Sequence, residues 1–266
     1  MPSAGKLGTT SRALLVSSLT SKRLLRLVFA GAALFFTGCG SGSGNSPGEC
    51  GEGALCGGGT LSYDFADGAQ EWSAGFADYP AGAEVFYELR SGIAPLPQEL
   101  GLQSSGFFIS GINHSDDLFM FLSRRLPGFT PGGCYRLEFV VEFATNAPAD
   151  CVGVGGAPGE HVTLKAGAAG IAPAAAADEN GFLRMNIDKG NQGQGGADAL
   201  PLGHIGNSKP CPSDVYEFKT LSGSQQAAAD AGGQLWLIVG TDSGFEGRTS
   251  LYYRRIQVTV SGSGAC

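Results

Sequence analysis

Histidine, tryptophan and long apolar runs are all scarce in this chain. Among 266 residues there are three histidines and two tryptophans, and only 15% are charged. The longest uniformly apolar N-terminal stretch, residues 27–36, is ten residues long. That is too short for a helix crossing a bilayer core of about 30 Å. No CxxC or His-x3-His spacing occurs, which excludes the common structural zinc sites. The one G-x-S-x-G match, GNSPG at 44–48, lies in a Gly/Ser-rich stretch with no strand pattern before it and so is not read as a nucleophile elbow, and no H-E-x-x-H is present. The glycine-rich stretch at 152–159 (VGVGGAPG) is not followed by Lys-Ser/Thr, so it is not read as a phosphate loop. No segment carries sustained helical periodicity, so a helical bundle is excluded as well.

What is present first is a leader. Residues 27–39 read LVFAGAALFFTGC, with Lys22, Arg23 and Arg26 just ahead and no acidic residue before Cys39. A positive n-region, a short apolar h-region and small residues at a cleavage position make a secretory signal. A cysteine directly after Thr37-Gly38 makes it resemble a bacterial lipoprotein signal. The resemblance implies that Cys39 is diacylated and becomes the first mature residue, anchoring the protein to a membrane. Gly40, rather than Asp, follows the cysteine; by the same resemblance this implies the outer membrane. The following GSGSGNSPG behaves as a flexible coil. The chain is therefore divided into a signal at 1–38, a Gly/Ser-rich tether at 39–58 and a single domain at 59–262.

Charge separates these parts. Residues 1–38 hold five of the 17 Lys/Arg and none of the 24 Asp/Glu, so the remainder has 12 basic and 24 acidic residues, a net charge of −12. Nucleic acid and anionic lipid surfaces are poor partners for such a body.

Six cysteines follow Cys39, an even number that in an exported chain reads as disulfides. Cys151 and Cys211 both lie in Pro-flanked, loop-like segments (APADC and KPCP) and are paired first. Cys50 with Cys56 closes a small Gly-rich ring, which leaves Cys134 with Cys266.

Strand patterns recur along the body. In residues 137–143 (LEFVVEF), Leu137, Phe139, Val141 and Phe143 share one face and Glu138 and Glu142 the other. Residues 118–122 (LFMFL) and 235–239 (LWLIV) are continuously apolar, as in central strands covered on both faces. On that reading Trp236 belongs to the core. Further strands are expected at 61–65, 84–89, 106–110, 161–165, 182–187, 215–221 and 250–260. In the last, Ile256, Val258 and Val260 share one face, while parity puts Leu251 and Tyr253 on the other. One extra residue near 253–255 restores both sets to the core, so a β-bulge is expected there. About ten short strands with Gly/Pro/Asn turns predict an all-β fold, an antiparallel β-sandwich of jelly-roll type.

The segments TLSYDFADGAQEW and SLYYRRIQVTV resemble the first and last strands of galactose-binding-like jelly rolls, a fold shared by many carbohydrate-binding modules. The resemblance implies glycan binding. It also raises a structural calcium between Asp64 and an acidic residue of the last strand, but Arg254 and Arg255 fill that region, and no cofactor is implied. SGINHSDDLFMFL, FATNAP, GVGGAPGEHVTLKAGA, NIDKGNQGQGG and WLIVGTDSGFEG resemble a group of uncharacterised bacterial exported proteins.

Three polar segments carry side chains that turns do not require: 113–117 (NHSDD), 186–194 (NIDKGNQGQ) and 241–246 (TDSGFE). Asp, Asn and Gln at strand ends offer donors and acceptors suited to sugar hydroxyls. Turn formation explains many of them equally well, though not His114 or Lys189. Trp72, Phe76 and Tyr79 offer rings for stacking, or Trp72 closes one end of the sandwich. The leading reading is a non-catalytic lipoprotein whose jelly roll binds a glycan through Asn113, His114, Asp116, Asp188, Lys189 and Asn191. The alternative is a structural or protein-interaction module of the envelope with no small-molecule site. A hydrolase using His114 with Asp116 stands third.

Overall fold

In the computed structural model the described residues are 55, 58–263 and 266. The expected signal, Cys39, most of the expected tether and the expected pairing of Cys50 with Cys56 lie outside them. Fourteen strands are described where about ten were expected. They are β1 (Gly59–Asp64), β2 (Ser73–Ala77), β3 (Tyr79–Pro80), β4 (Arg90–Pro95), β5 (Ser105–Ile112), β6 (Leu118–Pro127) and β7 (Cys134–Thr145). Then follow β8 (Val162–Ala169), β9 (Ala175–Ala177), β10 (Phe182–Met185), β11 (Leu200–His204), β12 (Glu217–Ala228), β13 (Gln234–Ser243) and β14 (Arg248–Ser263).

Two antiparallel sheets face each other. One runs β12-β7-β14-β5-β4, with β1 added along β14; the other runs β11-β8-β13-β6-β2. Period-2 alternation builds the core between them. Leu137, Phe139, Val141 and Phe143 of β7 face Leu118, Met120 and Leu122 of β6 and Leu164, Ala166 and Ala168 of β8 across one buried cluster. A third, small sheet, β3-β10-β9, lies on the outer face of the second sheet. With the segment that follows β10 it covers Phe119, Phe121 and Ile238. That cover explains why β6 is apolar on both faces.

The bulge lies where the side-chain parity requires it. Pairing of β14 with β7 shifts register between Tyr253 and Arg255. Arg254 is the extra residue, and Leu251, Tyr253, Ile256, Val258 and Val260 are all buried.

Five strands escape the alternation test. Both β4 and β11 lie at sheet edges and contain Pro95 and Pro201, which central strands do not tolerate. Sheet-forming residues are sparse in β2 (SAGFA) and β9 (AAA), and β3 is two residues long. Conversely, the strand expected at 84–89 is a set of tight turns, with the Tyr87 amide donating to Ala83 O and the Leu89 amide to Glu84 O. Trp72 is core, edge-on to Tyr63 and Phe65. Trp236 is not: outward on β13, it is half-buried.

Two disulfides are described, Cys151–Cys211 and Cys134–Cys266. The first closes a loop over a sequence separation of 60. The Cys151→Ser/Cys211→Ser variant is expected to lose about 2–4 kcal/mol, read as a lower midpoint in urea unfolding. An unchanged midpoint would show that this crosslink carries no stability.

Candidate functional site

Alternation along β8 sends Leu164 and Ala166 inward and Lys165 outward, beneath the segment that follows β10. On neighbouring β13 Asp242 also points outward, one diagonal step from Lys165 in the pairing register. Both side chains are fully buried, and Lys165 Nζ stands 2.8 Å from Asp242 Oδ2. The ammonium also donates to the carbonyls of Lys189 and Gln194 at 2.8 Å, so its three protons are all placed.

From there the charges alternate outward. Lys189, almost fully buried, reaches Asp242 Oδ2 at 2.8 Å, Asp78 Oδ2 at 3.1 Å and Asp117 Oδ1 at 3.8 Å. Its ammonium lies 5.0 Å over the Phe119 ring, a cation–π contact. Half-exposed Arg184 of β10 closes the network with Asp78 at 3.0 Å, Asp117 at 3.4 Å and Asp178 at 3.5 Å. Burial pulls the Lys165 pKa down, opposed by Asp242. Burial also works against charge on Lys189, but Asp242 and Asp78 outweigh it and hold that pKa above the ordinary lysine value. Asp117 is pushed up to about 6, first by desolvation and then by Asp78 and Asp242, against the pull of Lys189 and Arg184.

Above this network lies an open depression of about 280 Å³ lined by Asp78, Asp117, Arg184, Asp188, Lys189 and Asn191, with apolar Met185 and Ile187. The sequence-predicted residues meet it unequally. Asp188, Lys189 and Asn191 line it. The Asp188 carboxylate accepts from the Gly190 and Ala197 amides, which holds its pKa below the ordinary value. Asn113 is buried behind the rim, its amide donating to the carbonyls of Ser243 and Phe245 at 2.7 and 3.0 Å. Exposed His114 stacks on Phe86 with centroids 4.2 Å apart and meets Tyr87 edge-on. Asp116 is exposed at φ 59°, and its carbonyl accepts from Gln192 Nε2 at 2.7 Å. That bond ties the 113–117 and 186–194 segments together.

The third segment is different from its expectation as a polar loop. Thr241, Asp242 and Ser243 are buried residues of β13. Sequence reasoning missed Asp78, Lys165 and Arg184 altogether. A usable signal existed for Lys165, a charged residue inside the otherwise apolar run VTLKAGAA. None existed for Asp78, whose place depends on a left-handed φ of 64° after β2.

No group of three or more His, Cys, Asp or Glu side chains is arranged to hold a metal among the described residues. The calcium position raised by the jelly-roll resemblance does not fit a cation. Arg255 pairs with Asp64 at 3.0 Å in the β1–β14 register, a guanidinium where a second carboxylate would have to stand.

Removing one member of a buried ion pair leaves an unpaired charge, which typically costs about 3–5 kcal/mol. Asp242→Leu leaves the Lys165 ammonium buried without a carboxylate, while Lys189 keeps Asp78 at 3.1 Å; it is expected to destabilise by that order in urea unfolding, and adding Lys165→Met to recover a large part of it. A double variant no more stable than the single would refute this account of the pair. The raised Asp117 pKa means that the folded state takes up a proton more readily than the unfolded chain. Its contribution to stability is therefore present at low pH and lost as pH rises from about 4, the ordinary aspartate value, through about 6. Asp117→Asn should gain in Tm relative to the parent across that window, with the difference constant above about pH 7; a difference flat from pH 4 to 7 would contradict it.

No family model matches the chain, and no curated protein does. Several solved structures are similar at low identity. The enzymatically active domain of bacteriophage CBA120 tailspike protein 4 is 13% identical over 73% of this chain, with a TM-score of 0.31, and the chain spans only 20% of its length. The CBM22-1 xylan-binding domain of Paenibacillus barcinonensis Xyn10C is 12% identical, covering 79% of this chain and 100% of that one at a TM-score of 0.37. The mannan-recognising module TmCBM27 is 8% identical, covering 76% and 96% at 0.38. At such scores the ligand of this chain has to be argued from its own residues.

Proposed function

We propose that this chain is an exported envelope protein, lipid-anchored at Cys39 to the outer membrane, whose β-sandwich binds a glycan without catalysis. The observation that carries the ligand reading is the meeting of two polar segments at one depression. Gln192 donates to Asp116 O, and Asp117, Asp188, Lys189 and Asn191 face the same open space. Most of the charge there is already engaged. What remains toward solvent is a rim of hydrogen-bonding groups, those of Asp116, Asn191 and half-exposed Arg184, with the His114–Phe86 stack on the 113–117 segment. Hydroxyl-rich ligands suit such a rim, because each hydroxyl both donates and accepts.

A structural envelope module with no small-molecule site is the second reading. It is favoured by the closure of Asp188 on backbone amides and of Lys189 on three carboxylates.

A glycan array probed with the mature chain separates the two readings. Binding to a defined glycan is expected, unchanged by a calcium chelator and weakened about tenfold or more in Asn191→Ala/Arg184→Ala, a loss of at least ~1.4 kcal/mol. Silence across the array, or binding of uncharged glycans indifferent to that variant, selects the structural module.

A further inference from the structure

The third sheet covers only part of the outer face of the second sheet. Its cover ends over Phe121 and Ile238. Beyond it, toward the start of β2, the face is open. There a separate cavity of about 480 Å³ is lined by Glu71, Ser73, Arg125, Pro127 and Trp236. It lies at the opposite end of β2 from Asp78, a strand of five residues and so roughly 15 Å away at about 3.3 Å per residue.

Two side chains in this cavity are unusual for the molecule. Trp236 and Arg125 are direct cross-strand partners on β13 and β6. Each of the other seven described arginines has a carboxylate within 4.0 Å: Arg90 and Arg248 on Glu88, Arg124 on Glu71, Arg136 on Glu138, Arg184 on Asp78, Arg254 on Glu142 and Arg255 on Asp64. Arg125 has no such partner among the described residues, although acidic residues outnumber basic ones two to one in the body. The cavity's own acid, Glu71, is taken by Arg124 at 2.8 Å. Trp236 is equally unengaged. Trp72 packs edge-on to Tyr63 and Phe65; the Trp236 indole stacks on no ring, and its Nε1 makes no hydrogen bond among the described residues. Beside them Ser73 and Ser123 hydroxyls lie 3.4 Å apart.

We infer that this cavity is a second binding site, independent of the loop depression, and that it takes an acidic sugar, a uronic-acid residue of a glycan. The indole offers a flat apolar platform with one N–H donor, which matches the C–H face of a pyranose ring and a neighbouring hydroxyl. The unneutralised guanidinium presents the fork that receives a carboxylate in bidentate geometry. Ser73 supplies a hydroxyl at the near edge. A peptide would be served differently: strand addition runs along a free sheet edge such as β2, whereas the indole and the guanidinium here project from the sheet face as the cross-strand pair Trp236–Arg125.

Tryptophan emission provides the readout, since Trp72 is buried and Trp236 borders the cavity. The mature chain is titrated with an oligogalacturonate, with a neutral galactan oligomer of equal length and with sodium acetate. Quenching by the oligogalacturonate is expected, at an affinity about tenfold or more above the neutral oligomer, with no response to acetate alone. Arg125→Gln should remove that preference, Trp236→Ala should abolish the signal with calorimetric binding lost as well, and Arg184→Ala should leave both intact. Arg125 is exposed and Trp236 half-buried on the outer face of the sheet, and melting temperatures check that each variant is folded. Equal affinity for the two oligomers, an Arg125→Gln variant that still prefers the uronate, or no calorimetric binding of the uronate overturns the inference. Loss of uronate binding in Arg184→Ala would overturn the assignment to this cavity and move the ligand to the loop depression.

Discussion

An ammonium and a carboxylate with no solvent contact, Lys165 and Asp242, fix the arrangement of everything above the second sheet. Neither charge is tolerable alone in that position, since desolvation of a single ion is worth several kcal/mol. Lys165 therefore draws down the carbonyls of Lys189 and Gln194, and Asp242 draws in the Lys189 ammonium. The segment between β10 and β11 has almost no regular structure of its own, and it follows these bonds instead. Asp78 and Asp117 balance Lys189 in turn, and Arg184 brings β10 to the same point. A conventional apolar contact would be more tolerant of sliding. A chain of alternating charges allows one register, and here it positions the third sheet on the second.

Below that layer the molecule is an ordinary problem in alternation. Strands β7, β14 and β8 each bury one side-chain set against the facing sheet, and a single extra residue at Arg254 keeps both halves of β14 in phase. The displaced residue is used as well: Arg254 reaches Glu142 at 2.8 Å on the outer face and lies over the Phe218 ring.

What was legible in the sequence follows from this division. Period-2 patterning exposed the core strands, the apolar β6 and the bulge, because burial on one or both faces leaves a direct mark on residue type. The Pro-flanked cysteines likewise announced one crosslink. Edge strands such as β4 and β11 left no mark, since one open side relaxes the demand for β-branched and aromatic residues. The segment at 84–89 was misread because Val85 and Phe86, apolar yet exposed, imitate a buried set. At the loop depression the sequence supplied Asp188, Lys189 and Asn191 through their density of polar groups. Lys165, Asp78 and Arg184 come from three different strands or turns, and only the folded chain makes them neighbours. Trp236 departs from its expected place in the core for a related reason: the apolar run 235–239 implies cover along its whole length, and the cover stops at Ile238.

That incomplete cover has a consequence for how the chain must reach its fold. Residues 118–122 form five consecutive apolar positions with strong strand preference and no charge, the composition that favours intermolecular cross-β association. Of the strands bonded to β6, β2 precedes it, while β13 lies far downstream and must be present before the sheet is complete. Until then β6 is an adhesive edge. Asp117 directly before the run, and Arg124 and Arg125 just beyond Ser123, put charges at its two ends, where they act as gatekeepers against self-association. The same residues that later frame the two cavities thus protect the strand between them while its partners are still being delivered.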